Sequence, residues 1–220
     1  MSAGHVALLG DSIFDNRSYT GGEPDVVTHL RDLLPRGWRA TLYAVDGATA
    51  ADIARQTSTV AADVSHLVVS IGGNDALGHS DLLALPVRST AEALSLFAER
   101  VAAFERAYRV AMQRIATLSR PTTLCTIYNG NLEPSRATIA RVALTTFNDA
   151  ILRVAFEHAF PVIDLRAICA RPEDYANPIE PSGTGGRKIA AAIVAALGLA
   201  GDVAASRVFV RSPLGDGVRQ

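Results

Sequence analysis

Cysteine is scarce: Cys125 and Cys169 are the two in 220 residues, far apart and each set among apolar neighbours. This excludes a disulfide framework and the paired thiols of a zinc site, and it suits buried reduced thiols in a cytoplasmic protein. An excess of either charge is also missing. Lys and Arg total 21 against 22 Asp and Glu, a formal net charge of −1, and no basic cluster interrupts the chain. Without a broad cationic surface, nucleic acid is not an expected partner. No apolar run is long enough to cross a bilayer, and no basic stretch followed by a signal-length apolar core opens the sequence, so nothing in it points to a membrane. Repeats, low-complexity tracts and Pro/Ser-rich linkers are absent as well. Residues 1–205 therefore read as a single domain. Residues 206–220, ending "FVRSPLGDGVRQ", form a tail suited equally to an edge strand, a subunit contact or partial disorder, and the oligomeric state stays open.

What is present is a large apolar fraction, 49% against 20% charged, enough for a core that needs neither disulfide nor metal. Apolar runs alternate with segments of helical period, the pattern of a parallel sheet covered on both faces. Strands are expected near His5–Leu9, Ala40–Val45, His66–Ile71, Thr122–Ile127 and Pro161–Leu165. Helices are expected near Asp25–Leu34, Ala50–Ala62, Thr90–Leu118, Arg136–Ala159 and Gly185–Leu199. In the third helix Leu94, Phe97, Val101, Phe104, Tyr108 and Met112 recur at three- and four-residue spacing, a stripe that faces a core rather than a cofactor.

In such a sheet the turns at the carboxyl ends of the strands share one edge, where ligands bind. These turns read "GDS", "VDGATAAD", "GGNDALGHS", "YNGNLEPS" and the stretch to "NPIEPSGTGG". A serine where a strand passes into a helix gains from the positive end of the helix dipole. Gly47 has no side chain to shield its N–H, and the Asn74 amide can donate to an oxyanion. Asp15 and Asn16 read as caps.

"GDS", Gly47, "GGND" and a Pro-Ser-Gly stretch before the last helix, in that order, resemble the four sequence blocks of the SGNH/GDSL hydrolase family. The resemblance implies a three-layer α/β/α fold, flavodoxin-like with five parallel strands. It also implies a nucleophile at Ser12 and an oxyanion hole made by the N–H groups of Ser12 and Gly47 and the side chain of Asn74. No metal or organic cofactor is implied.

The last block departs from the family's pattern. Where an Asp and a His are usual, this chain has Asn177 and Glu180. Glu180 occupies the position of the base, and burial among Pro178, Ile179 and Pro181 would raise its basicity towards neutrality. Asn177 can donate a hydrogen bond to that carboxylate, where an Asp would repel it. His79, in the turn after the third strand, is the alternative base. His5, His29, His66 and His158 fall away from the carboxyl edge.

The expected substrate is a small-molecule carboxylic ester, thioester or small acyl conjugate, cleaved through an acyl-serine. Asp11, Asn177, Tyr128 and Leu77 are placed around it, although Asp11 is also suited to bonding its local backbone. Leu77, Leu82, Leu83, Leu85, Tyr128 and Leu132 either line an acyl pocket or pack on the helices. The runner-up is an inactive module of the same fold that binds an acyl or carbohydrate ligand. A phosphate binder using "GDS" is disfavoured because no Gly-rich loop follows the first strand.

Overall fold

The structure, a computed structural model, describes residues 3–201; the tail at 206–220 lies outside the described residues. Five strands, β1 (Gly4–Gly10), β2 (Trp38–Leu42), β3 (His66–Ser70), β4 (Thr122–Cys125) and β5 (Val162–Ile163), pair parallel in the order β2-β1-β3-β4-β5. The α-helices are α1 (Val26–Leu33), α2 (Ile53–Thr57), α3 (Gly73–Leu77), α4 (Thr90–Thr117), α5 (Pro134–Glu157), α6 (Leu165–Ile168) and α7 (Gly183–Ala196). This is the expected three-layer α/β/α arrangement.

The continuous apolar run of β1 follows from burial on both faces. Ala7 and Leu9 pack with Ile53, Phe104, Tyr108 and Ile151 under α2, α4 and α5. Val6 and Leu8 pack with Val26, Leu30, Leu165 and Ile193 under α1, α6 and α7. Cys125 and Cys169 are free thiols in the same interior, and burial pushes both above the usual thiol range. No described helix is long and apolar enough to cross a membrane.

Several boundaries differ from expectation for local reasons. The second helix stops at Thr57 because the hydroxyls of Thr57, Ser58 and Thr59 bond backwards to main-chain carbonyls, competing with helical propagation. The fifth strand is cut to two residues because Asp164 turns to cap α6, accepting from the Arg166 N–H. "GNDAL" forms α3 where only a turn was expected. Leu94, at the head of the α4 stripe, is 63% exposed, because the buried residues of that helix begin only at Val101.

The chain runs outward from β1 to β2 and returns across β1 to β3, so the order of winding reverses between β1 and β3 and opens a crevice at their carboxyl ends. Gly10 lies at that point with φ +132°, and a Cβ there would stand 1.7 Å from the Ser70 carbonyl oxygen. Only glycine meets both demands. Gly10→Ala should lower the unfolding free energy by about 3 kcal/mol or more, combining backbone strain with a clash against main chain. Urea unfolding followed by circular dichroism tests this; a loss under about 1 kcal/mol would mean the strand ends separate freely.

Candidate active site

Beyond Gly10 the chain stays attached to β3, the Asp11 N–H donating to the Ser70 carbonyl at 3.1 Å, and then makes one tight turn in which Phe14 and Asp15 donate to the Asp11 carbonyl. Ser12 sits on this turn, 7% exposed. The first helix lies where it was expected, α1 beginning at Val26 with Asp25 as its cap, so Ser12 stands on the turn that follows β1 and not on the first turn of that helix. What faces Ser12 is a carboxylate. The Ser12 Oγ donates to Glu180 Oε1 at 3.0 Å, across 168 residues of sequence.

The loop carrying Glu180 is tied at each residue. The carbonyls of Pro178, Ile179, Glu180 and Pro181 accept respectively from the Asn131 N–H, the Tyr128 hydroxyl at 2.5 Å, the Ala176 N–H and the Asn16 amide at 3.1 Å. Asn177 has a different contact from the one expected. Its Oδ1 accepts from the N–H groups of Ile179 and Glu180 at 2.9 and 3.0 Å, so it shapes the backbone of the turn and does not donate to the carboxylate. An amide oxygen two residues before a turn N–H makes this local bond readily.

Asn74 lines the crevice, with one amide N–H donating to the Ala48 carbonyl at 2.9 Å, which fastens α3 to the loop carrying Gly47. Gly47 itself is exposed, with φ +77° and open space around it. Asp15 and Asn16, read from the sequence as caps, are not the N-cap of any described helix, a place Asp25 takes at α1; they tie loops together. Asp15 accepts from the Asp46 N–H, joining the Ser12 turn to the Gly47 loop, and Asn16 bridges the Val26 N–H and the Pro181 carbonyl. Two positioning residues escaped the sequence reading. Gln56 accepts from the Gly10 N–H and donates to its carbonyl, and Asn148 does the same for Ile127. Their signal was a polar residue inside the apolar face of a helix, Gln56 three after Ile53 and Asn148 directly after Phe147.

Ser12, Asp11, Asn74, Glu180, Tyr128 and Leu77 all line one cavity of about 160 Å³; Gly47 and Asn177 do not. Its remaining wall is mainly apolar, including Ile71, Leu83, Phe97, Ile127, Leu132 and Leu144. His79 is also in the wall. It is half-buried rather than solvent-exposed, stacked on Phe147 at 6.1 Å with Arg100 3.4 Å from its Nδ1.

Glu180 is 6% exposed, and its Oε2 is buried with no hydrogen-bond partner among the described residues. Burial pushes its pKa from 4.5 up to about 7; the Ser12 hydrogen bond opposes the rise and the Asp46 charge adds to it. Asp11, which accepts from the Ile13 N–H, is also pushed up to about 7, by burial first, with the charges of Glu180 and Asp75 contributing. The crevice thus holds two carboxyl groups poised near neutrality.

The sequence matches the GDSL-like lipase/acylhydrolase family over residues 8–187. No curated protein matches it significantly. Among solved structures, an extracellular lipase from Streptomyces rimosus aligns with a TM-score of 0.66 at 17% identity, covering 88% of this chain and all of that one. Phospholipase A1 from Streptomyces albidoflavus NA297 gives 0.66 at 15% identity, covering 90% and 99%. LAE5, an α/β hydrolase from the metagenome of Lake Arreo, gives 0.65 at 23%, covering 90% and 97%.

The raised carboxylate makes a stability prediction. The unfolded chain releases the Glu180 proton near 4.5 and the folded chain holds it to about 7, so folding is progressively disfavoured as pH rises through that window. Glu180→Gln removes the effect. The variant should gain on the wild type between pH 4.5 and 7, with a constant difference above, in chemical unfolding at a series of pH values. A gap independent of pH would show that Glu180 titrates normally.

Proposed function

The chain belongs to the GDSL-like lipase/acylhydrolase family and is a hydrolase, and on that footing we propose that it cleaves carboxylic acyl esters through an acyl-Ser12 intermediate with Glu180 as general base. The observation that carries this reading is the 3.0 Å hydrogen bond from the Ser12 hydroxyl to Glu180. A serine hydroxyl needs a base in contact to become a nucleophile, and a carboxylate with a pKa of about 7 is near the optimum for proton transfer at neutral pH.

Ser12 Oγ attacks the ester carbonyl as Glu180 Oε1 takes its proton. The carbonyl oxygen, now negative, is stabilised by the N–H groups of Ser12 and Gly47 and by the Asn74 amide, which keeps one N–H free after bonding Ala48. Collapse of the adduct expels the alcohol or thiol, which receives the proton from Glu180. Water then attacks the acyl-serine and gives its proton to the same carboxylate; as the second adduct collapses, Ser12 Oγ leaves with that proton, the acid is released and the Ser12–Glu180 pair is restored. The apolar cavity takes the acyl group, with Leu77 and Tyr128 in its wall. Asp11, in the wall of the same cavity, accepts from the Ile13 N–H and so shapes the turn that carries Ser12.

Ser12→Ala should abolish hydrolysis of p-nitrophenyl butyrate. Asn74→Ala should lower kcat by about two orders of magnitude with little change in KM. Turnover should rise with pH to a plateau, with a midpoint near 7. That midpoint falls where an imidazole, at about 6.5, would place it, so the decisive comparison is between variants. Glu180→Gln should lose at least about a hundredfold, while His79→Ala should keep the wild-type midpoint. If His79→Ala erases the pH dependence instead, the base is His79. If the wild type binds esters without turning them over, the chain is a binding module.

A further inference from the structure

Glu180 has no side-chain partner to aim it. One of its oxygens receives the Ser12 hydroxyl, the other is buried without a partner among the described residues, and Asn177 bonds backbone instead. A base in contact with a nucleophile is ordinarily oriented by a third group, so the aim of this carboxylate has to come from the main chain that carries it. That main chain is braced internally. Tyr175 and Pro181 form an antiparallel bridge across its neck, the Ala176 N–H donates to the Glu180 carbonyl, and the Ser182 N–H donates to the Asp174 carbonyl. The loop therefore moves as one body, and its ties to the rest of the fold decide where Glu180 points.

Two ties run to the segment after β4, from the Tyr128 hydroxyl and the Asn131 N–H. Towards the nucleophile, no main-chain hydrogen bond among the described residues joins the segment 11–25 to the segment 173–186. Three side-chain bonds do. One is the Ser12–Glu180 bond itself, and a second, from the Gly183 N–H to Glu23 at 3.1 Å, ends on an exposed side chain. The third is the bond from the Asn16 amide to the Pro181 carbonyl at 3.1 Å, and Asn16 is fully buried. Its Oδ1 accepts from the Val26 N–H at 3.0 Å. The start of α1 is in turn fixed against α7, since a Cβ on Gly186 would stand 3.3 Å from Val26 Cγ2.

Resting on the hydrolase reading above, we propose that Asn16 is a positioning residue of the reaction: by joining the Pro181 carbonyl to the first N–H of α1, it holds the Glu180 carboxylate against the Ser12 hydroxyl, in place of an orienting side chain on the base itself. Asparagine suits the place because one amide supplies both the donor and the acceptor that the two main-chain groups need. It stands four residues after Ser12, with the turn between them closed through the Asp11 carbonyl, so nucleophile and tie shift together. Displacing a catalytic group by about 1 Å can cost about a hundredfold in rate. The titratable groups coupled by charge to Glu180 are Asp11, Tyr19, Asp46 and Tyr128, and the Asn16 side chain bonds none of them.

Two variants test this. Asn16→Asp keeps the shape and the acceptor for Val26 and loses only the donor to Pro181, whereas Asn16→Ala loses both. On the high-pH plateau of p-nitrophenyl butyrate hydrolysis, with rates referred to the folded fraction seen by circular dichroism, each should lower kcat at least about tenfold and leave KM within about twofold of the wild type. A readout without turnover comes from stability. In the Asn16→Ala background a loosened loop lets Glu180 move towards water, so the stability that Glu180→Gln gains between pH 4.5 and 7 should shrink to less than about half. A kcat within about twofold of the wild type, or an undiminished gain, overturns the proposal and leaves the hydrolase assignment intact. If Asn16→Ala does not fold, the kcat of Asn16→Asp decides. If the wild type hydrolyses no ester, the hydrolase assignment fails and the gain alone decides: a reduced gain upholds the tie between Asn16 and the aim of Glu180, and an undiminished one overturns it.

Discussion

Burying a carboxylate without a cation to neutralise it is costly, and the carboxyl edge of this sheet is arranged around one. Glu180 is almost enclosed, one of its oxygens receives the Ser12 hydroxyl, and the other has no partner among the described residues. A group in that setting relaxes by taking up a proton or by moving towards water. Its loop prevents the second route: all four carbonyls from Pro178 to Pro181 are held, and the Asn177 side chain fixes the two N–H groups that precede the carboxylate. The first route is the useful one, because it sets the group to gain and lose a proton near neutral pH.

The same economy of placement recurs around the nucleophile. The reversal of winding between β1 and β3 brings the Ser12 turn and the Asn74 helix to neighbouring strand ends. Side-chain amides then complete what the ladder leaves open, Gln56 at the end of β1 and Asn148 beyond β4. Both amides are buried, where an unmet polar group would cost about 1–3 kcal/mol, so each amide favours a single geometry for the turn it holds. A mainly apolar wall continues from the nucleophile towards the start of α4, where the helix has outrun the core.

Much of this could be read from the sequence, for identifiable reasons. Unbroken runs such as "HVALLG" require burial on both faces, and that condition alone selects parallel strands between helices. The four blocks shared with the family place Ser12, Gly47, Asn74 and the Glu180 position at strand ends without any knowledge of the loops. Three of the departures from expectation are local competitions that periodicity does not register. Hydroxyls at Thr57–Thr59 end a helix early, Asp164 turns from strand to cap, and the Asn177 amide bonds the nearest N–H groups rather than the carboxylate. Between Ser12 and α1 the chain stays irregular for a further reason: the Gly-Asp-Ser turn closes on itself through the Asp11 carbonyl, and the following residues are spent on tethers to the Gly47 and Glu180 loops.

The central claim is that the carboxylate of Glu180 activates Ser12. The rate at which a fluorophosphonate labels Ser12, followed across pH in the wild type and in Glu180→Gln, tests it most directly, since labelling needs the nucleophile but no particular substrate. The account requires wild-type labelling that rises through a midpoint near 7 and a variant that labels at least about a hundredfold more slowly with no such midpoint. Labelling of Glu180→Gln at the wild-type rate, with the same midpoint, would contradict it.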